Sequence, residues 1–209
     1  MPFEFSQLAA IRPYLYHLTA TQNLAAIVKE LELRCARTQL ERAGKSHEVS
    51  IKRQDHIELP FKSGTARIRD QKPLIEGAIA FEEGWDLARF VAHVNEHVFF
   101  WPGGPSGPVR SGLNHFDRYR VEGPAILRVR TESMLGANLK FCRYNSGAPR
   151  CSGGKYSPRG SRTYLPAREF PGIASEVVEV VAVGACILLG SVEVSFSPTG
   201  PWRPLDSAV

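Results

Sequence analysis

The stretch Val177-Val178-Glu179-Val180-Val181-Ala182-Val183 decides how the chain folds. A short run that is apolar on both faces and rich in β-branched residues reads as a strand covered from both sides, an inner strand of a sheet. Alternation along that strand puts Glu179 on one face with Val177, Val181 and Val183. A carboxylate there is costly unless a cation, hydrogen-bond donors or an active-site cleft meets it. Glu179 is therefore a candidate functional acid, with a structural ion pair as the alternative. Glu176 stands at the strand's start, where water reaches it more easily.

Outward from that strand, Val192 to Phe196 reads as a second closing strand, with Glu193 on a face shared with Ser191 and Ser195 and hence solvated. Pro124 to Val129 is a further strand and Glu132 to Leu135 a helical turn. Between Phe81 and Val94 the apolar spacing suggests a helix, which leads into a buried aromatic strand, Val98-Phe99-Phe100-Trp101, stopped by Pro102-Gly103-Gly104. Near the N-terminus, Tyr16-His17-Leu18-Thr19 closes an apolar strand, and Leu24, Ile27, Val28 and Leu31 follow at helical spacing. Thr19 stands three residues before Gln22, the spacing of a capping box. His17 at such a strand-to-helix junction suits a ligand, or is simply a satisfied histidine. Cys35 to Ser46 is polar and basic, and Glu48 to Gln71 reads as short strands or loop. From about 143 to 171 the chain turns to Gly, Ser, Pro and Arg, which predicts a long surface loop. The whole, residues 1–209, reads as one α+β domain.

A net charge of +5 favours a polyanionic partner without choosing among nucleic acid and acidic surfaces. The sequence opens without a basic leader or an apolar signal core and has no run long enough to span a bilayer, so a cytoplasmic protein with no membrane partner is expected. Cys35, Cys142, Cys151 and Cys186 form no CxxC pair and read as reduced thiols. His93-Val94-Asn95-Glu96-His97 matches the inverted zinc-peptidase order, yet that motif needs a long helix and His97 runs straight into the aromatic strand. No metal is expected. Gly44-Lys45-Ser46 lacks the first glycine of a phosphate loop, and no G-x-S-x-G nucleophile elbow occurs.

An early strand with Tyr-His-x-Thr, an Asn-Leu helix start, a mid-chain Val-Phe-Phe-Trp strand and a late strand glutamate together resemble the DarT-type NAD-dependent ADP-ribosyltransferases. Within that group the chain looks closest to a bacterial family of undefined function, marked here by Arg69-Asp70-Gln71, Val98-Phe99-Phe100-Trp101 and Arg159-Gly160. The resemblance implies a split β-sheet with flanking helices that holds NAD⁺ in its cleft. It implies cofactor contacts from His17, Thr19, Asn23 and Phe100, a cleft arginine at Arg69 and a catalytic acid at Glu179. Glu176 and Glu179 are three apart where the toxin pattern has two acids two apart, which favours a nucleobase of DNA or RNA over a protein acceptor. Lys155, Tyr156, Arg159, Arg162 and Tyr164 would then meet phosphates and stack on bases. The implied role is a toxin or antiphage effector, with a cognate antitoxin as partner. The competing expectations are an NAD glycohydrolase or protein ADP-ribosyltransferase, and a nucleic-acid-binding module on the same fold without catalysis.

Overall fold

The computed structural model describes residues 3–61, 64–147 and 158–208. An eight-stranded, antiparallel sheet organises them. Its strands are β1 (Tyr14–Thr19), β5 (His97–Gly104), β6 (Gly107–Pro108), β7 (Ala125–Arg130), β8 (Leu139–Cys142), β9 (Glu179–Val183), β11 (Val192–Ser195) and β12 (Arg203–Pro204), in the order β12-β11-β7-β1-β5-β9-β8 with β6 on β5. Two ribbons stand apart: β2 (Glu32–Arg34) with β10 (Ala185–Ile187), and the hairpin of β3 (Ile57–Phe61) and β4 (Gly64–Ile68). Among the described residues five α-helices accompany them: α1 (Phe5–Ile11), α2 (Leu24–Glu30), α3 (Ala36–Arg42), α4 (Leu87–Val94) and α5 (Arg110–Tyr119). This is a mixed α+β architecture.

Alternation sorts the sheet's side chains into two cores. Leu15, Leu127, Val129, Phe100, Val180 and Val194 meet the larger cluster, which also receives Leu24 and Ile27 from α2. Tyr16, Leu18, Trp101 and Ile126 point the other way and pack on Phe116 and Tyr119 of α5. Gly112 lets α5 press against β5: a Cβ there would lie 2.9 Å from the Trp101 Cβ. A third cluster of Leu40, Val49, Leu59 and Ile68 fastens the β3–β4 hairpin to α3.

Strand β5 is shared between two ladders. Its C-terminal half pairs with β1, ending at Tyr16↔Trp101, and its N-terminal half pairs with β9, ending at Phe100↔Val180. Past Tyr16, β1 leaves β5 while remaining paired with β7 up to Thr19↔Ala125. The sheet opens at this point, and extrapolating the two ladders by one step each sets His17 beside Phe100 and Glu179 beside Trp101. The two candidate residues therefore flank β5 from opposite sides.

Several sequence expectations change. The capping box is absent: Thr19 stays in β1, the first 3-10 turn is Thr21–Asn23, and Gln22 reaches Glu58 instead. β5 runs on through Pro102-Gly103-Gly104, because the Pro102 carbonyl accepts from Val109 and Gly103 and Gly104 pair with β6. The helix between Phe81 and Val94 starts only at Leu87, where the Asp86 carboxylate caps it by accepting from Arg89 N at 2.7 Å. Glu193 is not merely solvated; it pairs with Arg128 at 2.7 Å. Among the described residues Cys35, Cys142 and Cys186 are free and buried, while Cys151 lies outside them. No helix of the described residues is long and apolar enough to cross a membrane.

Candidate functional site

The split in the sheet opens into a cavity of about 490 Å³ whose lining includes His17, Thr19, Asn23, Arg69 and Glu179. That volume falls in the range of small-molecule and cofactor sites. Residues from β1, the segment after β4, β5, α5 and the start of β9 thus converge on one place.

His17 shares its face of β1 with Leu15, but beyond the last β1–β5 pair its ring turns into the gap and bonds the Phe99 carbonyl through Nδ1 at 2.9 Å. The imidazole takes a backbone partner that strand pairing would otherwise supply. A carbonyl only accepts, so Nδ1 carries the proton and Nε2 is left as an acceptor. Burial, with Arg69 nearby, lowers the ring's pKa to about 4, so it is neutral.

Glu179 begins β9 opposite Cys142 of β8 and is 2 % exposed. Its carboxylate accepts from the Ser146 backbone N–H at 3.1 Å, and Tyr164 Oη donates to Ser146 Oγ at 2.8 Å. Burial raises its pKa to about 7, against the pull of the Ser146 bonds and the Arg159 charge. An acid so poised changes charge near neutral pH.

Arg69 is held by its own scaffold. Nη2 donates to the Thr19 carbonyl at 2.9 Å, Nη1 reaches Glu122 at 3.3 Å, and the guanidinium lies 4.5 Å from the Tyr119 ring centroid. Nε is buried with no partner among the described residues, and burial lowers the group's pKa. Beside it, the buried Arg53 donates through Nε to the Arg69 carbonyl at 2.8 Å and through Nη1 to Asn95 Oδ1 at 3.0 Å. Burial brings its pKa down to about 10, and it forms no ion pair among the described residues. The helix α5 adds a polar stripe of Arg110, Ser111, Asn114, His115 and Arg118. His115 stacks on Trp101 at 4.5 Å, and burial together with Arg69 and Arg118 keeps it neutral, its pKa about 3. Such a wall suits an anionic ligand bearing several oxygens.

The other predicted positions fare differently. Asn23 lines the cavity, but its amide is used internally: Nδ2 donates to Thr19 Oγ1 at 3.1 Å and Arg67 O at 3.0 Å, and Oδ1 accepts from Arg67 N at 2.8 Å. It fastens β4 to the end of β1. Phe100 is sealed in the larger core behind His17, and the cavity faces of β5 belong to Phe99 and Trp101. The register explains this, since neighbours on a strand face opposite ways. Lys155 and Tyr156 lie outside the described residues. Arg159 and Tyr164 do not sit on a solvated loop: Arg159 is 2 % and Tyr164 1 % exposed, the first stacked on Tyr144 at 4.1 Å, the second packed on His97 at 4.6 Å. Of that group Arg162 is exposed. Glu176 lies off the cavity and pairs with Arg143, and the Ile173 N–H, together with that arginine, lowers its pKa. His93 and His97 meet edge to face at 4.9 Å, and among the described residues no group of three His, Cys, Asp or Glu side chains gathers as a metal site.

Sequence reading missed Arg53 and α5. Gly112, Phe116 and Tyr119 do recur at helical spacing, but a glycine in the stripe hides it. Arg53 sits in a charged stretch without periodicity and carries no signal at all.

Fold and site together define an α+β protein with an arginine-walled cavity at an open seam of its sheet and a buried acid at the seam's edge. The chain belongs to a family of unknown function, DUF7002, which matches residues 13–186. No curated protein and no solved structure matches it.

Proposed function

We propose that this chain is an NAD-dependent mono-ADP-ribosyltransferase of the split-sheet type that modifies a nucleobase of DNA or RNA. The observation that carries the reading is the convergence of His17, Arg69 and Glu179 on one cavity from three separate parts of the sequence. NAD⁺ brings two phosphates, and the buried Arg53 and half-buried Arg69 line the cavity with guanidinium groups that suit them. The Nε2 of His17, left as an acceptor by the Nδ1 bond, can accept from a ribose hydroxyl. Phe99 and Trp101 supply flat apolar walls for a ring.

In the reaction the bond between nicotinamide nitrogen and ribose C1′ breaks, nicotinamide leaves as a neutral molecule, and C1′ gains cationic character. Ionised Glu179 stabilises that charge. The acceptor nitrogen then bonds C1′ and gives up a proton, which Glu179, with a pKa about 7, can take. Support for a nucleic-acid acceptor comes from Arg110 and Arg118, exposed on α5 where it borders the cavity, and from exposed Arg162. Arg159 and Tyr164, being internal, have no share in it.

The test incubates purified protein with NAD⁺ and pools of single- and double-stranded oligonucleotides, following nicotinamide release and the mass of the nucleic acid. Modified oligonucleotide that disappears with Glu179→Gln is the expected result. Nicotinamide and free ADP-ribose without modified nucleic acid would make the protein a glycohydrolase. Absence of NAD⁺ binding by calorimetry, with salt-sensitive oligonucleotide binding retained, would make it a binding module.

A further inference from the structure

We propose that Glu82, which lies off the cavity, is the positioning residue for Glu179, closing segment 159–165 over Ser146 so that Ser146 and Tyr164 fix the Glu179 carboxyl at the cavity wall. The Glu82 carboxylate accepts three hydrogen bonds from that segment, from Ser161 N at 2.8 Å, Ser161 Oγ at 2.7 Å and Arg162 N at 3.0 Å. Its backbone takes part as well: Glu82 N donates to the Arg159 carbonyl at 3.0 Å, and Arg159 N donates to Ala80 O at 2.7 Å. Gly160 permits the approach, since a Cβ there would lie 2.8 Å from the Glu82 Cβ, closer than side chains pack. A carboxylate bound to consecutive backbone N–H groups is a strong local anchor for a segment whose composition carries little structure of its own.

The far end of the segment is tied to β8, where Leu165 and Phe141 exchange backbone bonds at 2.8 and 3.1 Å. Arg159, within the first anchor, and Tyr164, between the two, both reach Ser146: Arg159 Nε donates to its carbonyl at 3.3 Å and Tyr164 Oη to its hydroxyl at 2.8 Å. Ser146 in turn donates to Glu179. The groups facing Glu179 are thus Ser146, Arg159 and Tyr164 from these segments, Cys142 across the ladder on β8, and Trp101 beyond the end of the β5 ladder. Each of them except Trp101 and Cys142 owes its place to the segment that Glu82 closes. The consequence for turnover rests on reading Glu179 as the catalytic acid; the consequence for Glu179 itself does not.

The experiment follows the titration of Glu179 by carboxyl-carbon NMR of glutamate-labelled full-length protein, its resonance assigned with Glu179→Gln. Glu82→Gln keeps the size and removes the charge. Its expected effect is a displaced midpoint, downward if water enters and upward if the Ser146 and Arg159 contacts are lost. Tyr164→Phe acts on the same path, so the double variant should move the midpoint no further than the larger single one. A Glu82→Gln midpoint within about 0.3 pH of the parent's, or additive shifts in the double variant, would overturn the proposal. Should Glu82→Gln fail to fold, Ser161→Ala deletes one of the three bonds, and an unmoved midpoint there overturns it equally. A moved midpoint in a protein that never releases nicotinamide leaves this inference standing and removes the proposed function. An unmoved midpoint in an active protein does the reverse.

Discussion

Replacing Glu179 by Gln should make the protein more stable at alkaline pH while abolishing its proposed activity. Glu179 titrates at about 7 in the folded chain against 4.5 when free, because burial penalises its charged form. Between those two values the native state binds more protons than the unfolded one, so stability falls as pH rises through that window and stays low above it. The gap of about 2.5 pH at about 1.4 kcal/mol each gives a penalty on the order of 3 kcal/mol, undiluted by solvent because the side chain is buried. Gln has no charge to bury, and its amide oxygen can still accept from Ser146 N. Denaturant titrations of parent and variant should therefore coincide at about pH 4 and differ by roughly 3 kcal/mol at about pH 8, a rise in Tm on the order of 6–12 °C. A variant less stable than the parent at the higher pH, or a difference that does not depend on pH, would refute the reasoning and show that the carboxylate is compensated in place.

The same titration governs turnover: kcat/KM should climb with pH through a midpoint about 7 set by Glu179, and a profile flat across that value would show that its ionised form is not the active one. Asn23→Ala removes three hydrogen bonds that join β1 to β4 and should cost about 1–3 kcal/mol in thermal or chemical melts; an unchanged melt would mean the hairpin is held by its apolar contacts alone. Phe99→Ala and Phe100→Ala separate site from core. The first should weaken ligand binding and cost less stability than the second, which should lose about 3–5 kcal/mol, and the opposite pattern would place the cavity on the wrong face of β5.

What the sequence made legible follows from contrast. Glu179 stood out because every neighbour on its strand is apolar, and His17 because it ends one apolar run before another begins. Burial of Arg159 and Tyr164 was hidden for the opposite reason: glycine, serine, proline and arginine have no period, and their place depends on Glu82, some eighty residues away. The polar face of α5 looks like an exposed helix until a cavity is known to lie against it. Register decided the remaining case. Phe99 and Phe100 are chemically identical, and only the pairing of β5 with β1 and β9 tells which of them faces the cavity.

Because one strand carries both ladders, the distance from His17 to Glu179 is counted in residues along β5. An extra residue between Phe100 and Trp101 that spared the pairs on either side would have to bulge out of the ladder, because Trp101 stays on the face of Tyr16 and Phe100 on that of Val180, and it would slide the His17 and Glu179 ends of the seam apart by about one residue's rise along the strand. Connecting segments can lengthen or shorten without touching that count. The bond between Phe100 and Trp101 is thus the gauge of the site, where a change of chain length shifts one half against the other.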